Sequence, residues 1–355
     1  MDNSAQNFNV SVDDFDSVLS YPDQSLWTTP DPSSSSFNAA GSPWLMGTFH
    51  KTETVNASVS FNFTGPAVFV YGQSGPDYGS YEVQLDSSTV TRSAYSSSNG
   101  STPHLLYEAS NLTYGAHQLT LRNLGAQDGD AGGNAFLFDF LRFTVQLAPA
   151  GATVSNTTLQ EDDPALHYSG TWGNNTSGNF NGGGTSFTQE DGASLSFSFN
   201  GSAIYIFGDK KNDHGLYSVV LDNGTAEIYD DVSGCGGAFG MTCEQQQPTL
   251  KYFASNLAEG QHTLTLTNMA GVNHSFFDLD SIVLTIPSVY APRQLENSTS
   301  GSSSSSSNSS GSTSPSSNDD NSAATLFTSL NPLMLLVLTV VFLLRPTLSS
   351  SPRRR

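Results

Sequence analysis

Apolar and polar residues alternate with a period of two along most of the chain up to about residue 287. The alternation is clearest in residues 58–64, 80–85, 119–121, 194–199 and 264–266. Because successive side chains of a β-strand point to opposite faces of a sheet, this period predicts strands with one buried face. The pattern therefore predicts a chain built largely of β-structure.

Two shorter segments and one turn refine this picture. Val68–Tyr71 and Ile204–Phe207 are apolar at every position, which predicts central strands covered on both faces. Asp222-Asn223-Gly224 predicts a hairpin turn that tolerates positive φ. Neither region shows a long amphipathic helix, so the expected fold class is an all-β antiparallel sandwich.

The same set of segments occurs twice, which indicates a tandem duplication. The spacing grows where Cys235 and Cys243 enclose an insertion in the second copy. The matching segments are Ala57–Gly65 with Ala193–Gly201, Val68–Gly72 with Ile204–Gly208, Gly79–Asp86 with Gly215–Asp222, Ala109–Leu121 with Ala254–Leu266, and Phe138–Phe143 with Phe277–Ile282. We call residues 12–147 the first copy and residues 152–287 the second copy, and we expect each to be one β-sandwich domain.

These segments resemble a known family. The second copy opens with Asp162–Trp172, continues through the segments above and closes with Asp278–Leu284. It is similar to the galactose-binding-like jelly roll, found as carbohydrate-binding and accessory modules in secreted proteins. The resemblance implies two jelly-roll β-sandwiches and carbohydrate binding. The first copy departs from the pattern, because its opening, Tyr21–Trp27, is followed by an insertion rich in proline and serine.

The C-terminal region predicts an anchor. Residues 288–322 form a serine-rich stretch that we expect to be a disordered stalk. Residues 323–344 carry no charge and are long enough for a single transmembrane helix, and 345–355 form a short basic tail. A glycolipid anchor signal is the alternative. Tandem copies on such a stalk also resemble membrane-anchored surface proteins of fungal type.

Charge and glycosylation motifs bear on location and partners. The net charge of −20 argues against nucleic-acid binding. Thirteen N-x-S/T motifs favour domains outside the cell, at the plasma membrane or cell surface. The first residues show no export signal, so we expect a start that is incomplete or already processed.

Candidate sugar-binding residues are aromatic side chains beside polar ones, since a pyranose needs a flat apolar face and directional hydrogen bonds. Trp172 with Asn174 and Asn175 fits this description in the second copy, and Trp44 or Trp27 fits it in the first. The alternative for the tryptophans is packing at the edge of the sandwich.

Two turns at equivalent places, Asp77-Tyr78 and Asp213-His214, each put an aromatic ring after an aspartate. Sugar binding at a loop tip and ordinary turn chemistry are both open for these residues.

The sequence offers weak signals for metal ions and one for a disulfide. Asp128-Gly129-Asp130 with Asn134 can supply calcium ligands, as can Asp278 with Asp280, but aspartates in turns usually accept backbone hydrogen bonds. We therefore predict no metal and no cofactor. Cys235 and Cys243 predict a local disulfide in an oxidising compartment, and a free pair of thiols is the alternative.

Catalytic motifs are weak. Gly72-Gln73-Ser74-Gly75 falls short of a nucleophile elbow, and no helix follows it. The sequence thus predicts a non-enzymatic, membrane-anchored surface glycoprotein that binds glycans or cell-wall polysaccharide. The alternatives are a structural wall or adhesion protein without sugar binding, and a glycan-active enzyme.

Overall fold

The computed structural model describes residues 5–127, 132–234, 244–245, 247–271 and 275–293, all within one compact unit, residues 1–295. The predicted all-β class is confirmed, since the described residues form antiparallel sheets and four single-turn 3-10 helices. No helix among these residues is long and apolar enough to cross a membrane. The predicted stalk beyond residue 293, the anchor segment and the basic tail lie outside the described residues.

Two facing sheets form the first copy, in the orders β1-β10-β5-β8 and β2-β4-β9-β6-β7, with β3 also paired to β10. Phe61 and Phe143 meet across the space between them, with ring centroids 5.3 Å apart. The strands are Ala5–Asp13 (β1), Leu19–Ser20 (β2), His50–Thr52 (β3), Ser58–Thr64 (β4), Ala67–Gly72 (β5), Ser80–Leu85 (β6), Ser88–Ser93 (β7), His104–Ser110 (β8), Ala116–Gly125 (β9) and Phe136–Pro149 (β10).

The second copy repeats this arrangement with sheets β11-β22-β16-β19 and β12-β15-β20-β17-β18, and adds a small sheet β13-β14-β21. Its own core fills the space between the two larger sheets. The strands are Val154–Gln160 (β11), His167–Ser169 (β12), Gly173–Thr176 (β13), Gly184–Thr188 (β14), Ser194–Phe199 (β15), Ala203–Gly208 (β16), Leu216–Leu221 (β17), Glu227–Asp230 (β18), Thr249–Ser255 (β19), His262–Met269 (β20), Phe277–Leu279 (β21) and Ser281–Pro287 (β22).

The openings of the two copies are more alike than the sequence indicated. Tyr21 Oη donates to the carbonyl of Asp14, and Tyr168 Oη donates to the carbonyl of Glu161, in each case seven residues back. The insertion that follows Tyr21 therefore leaves the opening loop unchanged.

The predicted turn at Asp222-Asn223 is present with both residues at positive φ. The Asp222 side chain also accepts from His262 Nδ1, at 2.6 Å, and from the backbone N–H of Thr263. Asp86 and His117 make the same contact in the first copy, at 2.8 Å. The two histidines thus tie a hairpin turn to the neighbouring strand.

The two copies also pack on each other. The rings of Phe143 in β10 and Phe253 in β19 lie edge to face, with centroids 4.9 Å apart. Polar contacts continue the interface: Asp16 Oδ1 accepts from the backbone N–H of Leu250 at 2.7 Å, and Ser17 Oγ donates to Asp231 at 2.5 Å. We call this contact between the opening loop of the first copy and the second copy the junction.

Candidate functional site

The two predicted turn sites occupy equivalent positions in the fold. Tyr78 bridges Ala135, and His214 bridges Phe276 in the same way. Their surroundings differ, because Tyr78 is half-buried while His214 is only 5% exposed. Equivalent backbone positions therefore present different surfaces in the two copies.

The junction explains this difference. Gln24 Nε2 donates to the carbonyl of Val232 at 3.0 Å, and Ser33 Oγ accepts from the backbone N–H of Glu244 at 2.8 Å. Val232 and Glu244 both form backbone bridges to Lys211, two residues before Asp213. The loop tip of the second copy is thus partly covered by the first copy.

In the first copy the equivalent loops carry a second aromatic ring. Tyr95 pairs through its backbone with Gly75, and both Tyr95 and Tyr78 are half-buried. A Cβ on Gly75 would lie 3.5 Å from the Tyr78 ring and 2.7 Å from Asn99 Oδ1, so this backbone runs close to both. Asp77 beside them is exposed. We call Tyr78, Tyr95, Asp77 and Asn99 the first-copy tip.

Trp172 lies at the edge of the second sandwich. Its ring packs edge to face on Tyr168, with centroids 4.8 Å apart, and its indole Nε1 donates to the carbonyl of Ser169 at 3.0 Å. Asn174 and Asn175 are exposed on β13, and Asn174 Oδ1 accepts from the Ser186 hydroxyl at 3.2 Å. Trp172 therefore has a packing role, with its polar group already satisfied.

We expect Trp172→Phe to lower the free energy of unfolding by about 1 kcal/mol, because an aromatic ring remains and one hydrogen bond is lost. Urea unfolding of the purified chain measures this change, with Asn175→Ala as the exposed control. A variant as stable as the wild type would contradict the packing role.

The first-copy tryptophans also pack on other aromatic rings. Trp44 packs edge to face on Phe49, with centroids 5.1 Å apart. Trp27 is only 3% exposed and contacts His50 and Phe136 inside the core.

A group of buried charges near the junction has no counterpart in the first copy, and the sequence reasoning missed most of it. Lys251 occupies the bulge position at which the first copy has Leu106, since Tyr217 Oη and Tyr81 Oη donate to these two carbonyls in the same way. We call the residues of this group the charged cluster. They replace Gln73, Tyr78, Ala94, Leu106 and Leu137 in turn, and are Asp209, His214, Asp231, Lys251 and Asp278. The strand pairing corrects the sequence match of Phe138–Phe143 with Phe277–Ile282 by two residues, so that Asp280 is equivalent to Asp139.

Lys251 holds the charged cluster together. Its Nζ donates to Asp231 and to the carbonyl of Asp209, and lies 3.5 Å from Asp278 Oδ1. Burial, and then the charge of Asp278, raises the pKa of Asp209 well above its ordinary value. The cluster thus combines one matched ion pair with carboxyl groups that lack a full counter-charge.

A second acidic group, the carboxylate cluster, lies at the end of β1 and consists of Asp13, Asp14 and Asp139. One oxygen from each residue lies within 4.8 Å of the others. Asp14 Oδ2 contacts His50 Nδ1 at 2.6 Å, and Asp139 Oδ1 accepts from the backbone N–H of Leu45 at 3.0 Å. Burial, and then the charge of Asp14, raises the pKa of Asp139 to about 8.

The second copy has an equivalent pair, Glu161 and Asp280. Asp280 Oδ2 accepts from the backbone N–H of Asn181 at 3.2 Å, as Asp139 does from Leu45. Asp280 Oδ1 and Gln160 Oε1 are buried and have no hydrogen-bond partner among the described residues. Burial raises the pKa of Asp280 to about 7. Oxygen donors of this kind suit a hard cation such as Ca²⁺.

Two sequence predictions concern residues that the structure does not describe. Asp128 and Asp130 are not described, and neither are Cys235 and Cys243. Asn134, the third of these predicted calcium ligands, accepts from the backbone N–H of Ala126 at 3.0 Å. The predicted disulfide stays a prediction.

No family model matches the chain. It is 26% identical over 263 residues to an A type blood α-D-galactosamine galactosaminidase of Flavonifractor plautii, covering 74% of this chain and 21% of the relative. It is 32% identical over 116 residues to an A type blood N-acetyl-α-D-galactosamine deacetylase of the same organism, covering 32% of this chain and 14% of the relative. The chain thus spans about a fifth or less of these two relatives.

Similar solved structures include a family 35 carbohydrate-binding module from Clostridium thermocellum, at 13% identity and a TM-score of 0.27, covering 36% of this chain and 98% of that one. Another is the ANXUR2 extracellular domain from Arabidopsis thaliana, at 11% identity and a TM-score of 0.28, covering 80% and 97%.

The sequence relatives correct one prediction. We expected a protein that is not an enzyme, and this expectation is wrong because both relatives are named as glycan-active enzymes, a galactosaminidase and a deacetylase.

Proposed function

We propose that this protein takes part in the enzymatic processing of glycans that carry galactosamine or N-acetylgalactosamine, and that its first-copy tip holds the sugar. The observation that carries the proposal is the 26% identity over 263 residues to the galactosaminidase. The deacetylase supports the same substrate class, because both names specify galactosamine on A type blood glycans.

The lengths of the two matches suit recognition modules. The 263 aligned residues are about as many as β1 to β22 span, and the 116 aligned residues are close to the length of one copy. The tandem sandwiches are therefore the part of this protein that supports a common role with the enzymes, and we assign glycan recognition to them.

The first-copy tip offers the chemistry that a sugar needs. Tyr78 and Tyr95 expose part of their rings, which can cover the apolar face of a pyranose. Asp77 supplies a carboxylate that can accept from sugar hydroxyls or pair with the ammonium of galactosamine. Because the equivalent loops of the second copy lie under Gln24 and Ser33, we propose one sugar site per chain rather than two.

We expect Tyr78→Ala and Tyr95→Ala each to weaken binding of an α-galactosamine-terminated oligosaccharide about tenfold or more, since stacking on a ring is lost. Isothermal titration of the full chain measures affinity and stoichiometry, with Tyr229→Phe on the second copy as the control. Binding of two sugars per chain, or unchanged binding in both variants, would contradict the single site.

The enzymatic part is tested with the same protein. We expect the full chain to release product from p-nitrophenyl α-galactosaminide or acetate from its N-acetyl form. Binding without turnover would confine its role to glycan recognition, and neither binding nor turnover would favour the structural wall or adhesion alternative.

We also propose a location at the cell surface, anchored through residues 323–344. Extraction of the protein from cells with detergent, or its release by a phospholipase, separates a spanning helix from a glycolipid anchor. Recovery in the soluble fraction without either treatment would contradict anchoring.

A further inference from the structure

Three ligating side chains of the charged cluster converge inside the second copy. One ligand atom from each of Asp209, His214 and Asp278 lies within 4.8 Å of the others, and all three residues are buried. His214 Nε2 is 4.0 Å from Asp278 Oδ1. Two ligands about 2.1 Å from a tetrahedral ion lie ~3.4 Å apart, so side-chain rotations must bring these atoms closer together by up to ~1.4 Å.

Two of these atoms indicate that a ligand binds here, because no described residue forms a hydrogen bond with them. Asp209 Oδ1 and His214 Nε2 have no hydrogen-bond partner, although the residues are only 7% and 5% exposed. Buried polar atoms are normally paired, and leaving one unpaired destabilises the fold. An additional group between them would remove both penalties.

The orientation of His214 suits a metal ligand. Its Nδ1 lies 3.1 Å from Asp213 Oδ1, which fixes the ring and leaves Nε2 directed into the cluster. A carboxylate on the second ring nitrogen of this kind is a common support for a metal-binding histidine.

The fold does not require these three residues. At the equivalent positions the first copy has Gln73, Tyr78 and Leu137, and it forms the same strands. The first copy folds into the same sandwich without these buried ionisable groups. We therefore infer that the groups of the second copy have a role other than folding.

We propose that Asp209, His214 and Asp278 bind a divalent transition-metal ion of the Zn²⁺ class. One imidazole nitrogen with two carboxylate oxygens is a donor set that zinc accepts, whereas Ca²⁺ prefers oxygen alone. This site lies beyond the proposed glycan recognition, and its existence does not depend on it.

The charges in the cluster balance with such an ion. Lys251 and Asp231 form one ion pair, which leaves the carboxyl groups of Asp209 and Asp278. When both are ionised, as metal ligands are, a divalent cation neutralises them. The ammonium of Lys251 stays paired with Asp231 and lies 3.5 Å from Asp278 Oδ1.

The test is metal binding by the full chain after dialysis against a chelator. We expect about one equivalent of Zn²⁺ to bind, as seen by isothermal titration and elemental analysis, and Ca²⁺ not to displace it. Cobalt in place of zinc should give a visible absorption band from mixed nitrogen and oxygen ligands. A chain that binds neither ion would overturn the proposal and leave the Lys251 ammonium as the only cation of the cluster.

The variants take the residues of the first copy, so that the sandwich can fold. His214→Tyr and Asp278→Leu should each abolish the bound equivalent, and His214→Gln repeats the test with a smaller change. His262→Gln is the matched control, because both ring nitrogens of that histidine already have partners. If a variant fails to fold, the cobalt band of the wild type and its loss on adding Zn²⁺ still decide the question. If the folded His214 variants still bind zinc, the ion binds elsewhere in the chain and the proposed site is wrong.

Discussion

Replacing Lys251 with leucine is expected to lower the free energy of unfolding by about 3–5 kcal/mol, because the buried partner Asp231 is left without a counter-charge. Both side chains of this ion pair are fully buried. The cost is electrostatic rather than steric, since the first copy accommodates Leu106 at the same bulge position.

A second substitution, taken from the sequence of the first copy, is expected to restore the stability of this variant. Adding Asp231→Ala, the residue that the first copy has at position 94, removes the unpaired charge, and we expect most of the lost stability to return. Ser17 then loses its acceptor, so about 1 kcal/mol should remain missing. Guanidinium unfolding of the single and double variants measures both values. A double variant less stable than Lys251→Leu alone would contradict an electrostatic origin.

The sequence predicted the strands well, and the reason is physical. A period of two follows directly from the geometry of a strand, and the apolar positions in β4, β15 and β20 are the residues that the structure buries. The turns at Asp86 and Asp222 lie at matched positions of the two copies, and each aspartate has a positive φ. The second hairpin is the longer one, since Leu85 pairs with Ser88 whereas Val219 pairs with Glu227.

The site could not be predicted in the same way. Whether Tyr78 and His214 are exposed depends on the junction, and contacts between residues more than 200 positions apart leave no local pattern. One signal was present in the aligned copies: Lys251 stands where Leu106 stands. When one copy has a charged residue where the other copy has an apolar core residue, the aligned sequences alone indicate a candidate site.

The junction and the first-copy tip have a common origin in the duplication. Two equal sandwiches each have a loop tip, but packing the opening loop of one over the loops of the other leaves only one tip open. The partly covered tip of the second copy carries His214 of the charged cluster, while the Asp213 side chain beside it stays 48% exposed. We infer that recognition remained with the first copy and that the second copy supplies a rigid support for it.

The contribution of Asp139 to the stability of the fold should fall as the pH rises from about 4 to 8, because burial raises its pKa to about 8 from about 3.9 in an unfolded chain. The folded state holds this proton more tightly. Its contribution is therefore complete below pH 4 and is lost as the pH passes through 8. Burial also raises the pKa values of Asp13 and Asp14, and the charge of Lys210 offsets only part of the rise for Asp14. His50 beside them stays neutral, because burial lowers its pKa to about 3.

Asp139→Asn isolates this effect, because the amide oxygen can still accept from the backbone N–H of Leu45 while the titrating proton is gone. We expect the variant to flatten the pH dependence by about 1.4 kcal/mol per pH unit at most, with the largest gain over the wild type at pH 8. Urea unfolding from pH 4 to 8 measures the slope, in the presence of a chelator so that a bound cation does not take the place of the proton. Asp162→Asn, which removes an exposed carboxylate, is the control. A variant with the wild-type slope would mean that Asp139 is already ionised in the fold, with a cation or Lys210 supplying the charge that holds it.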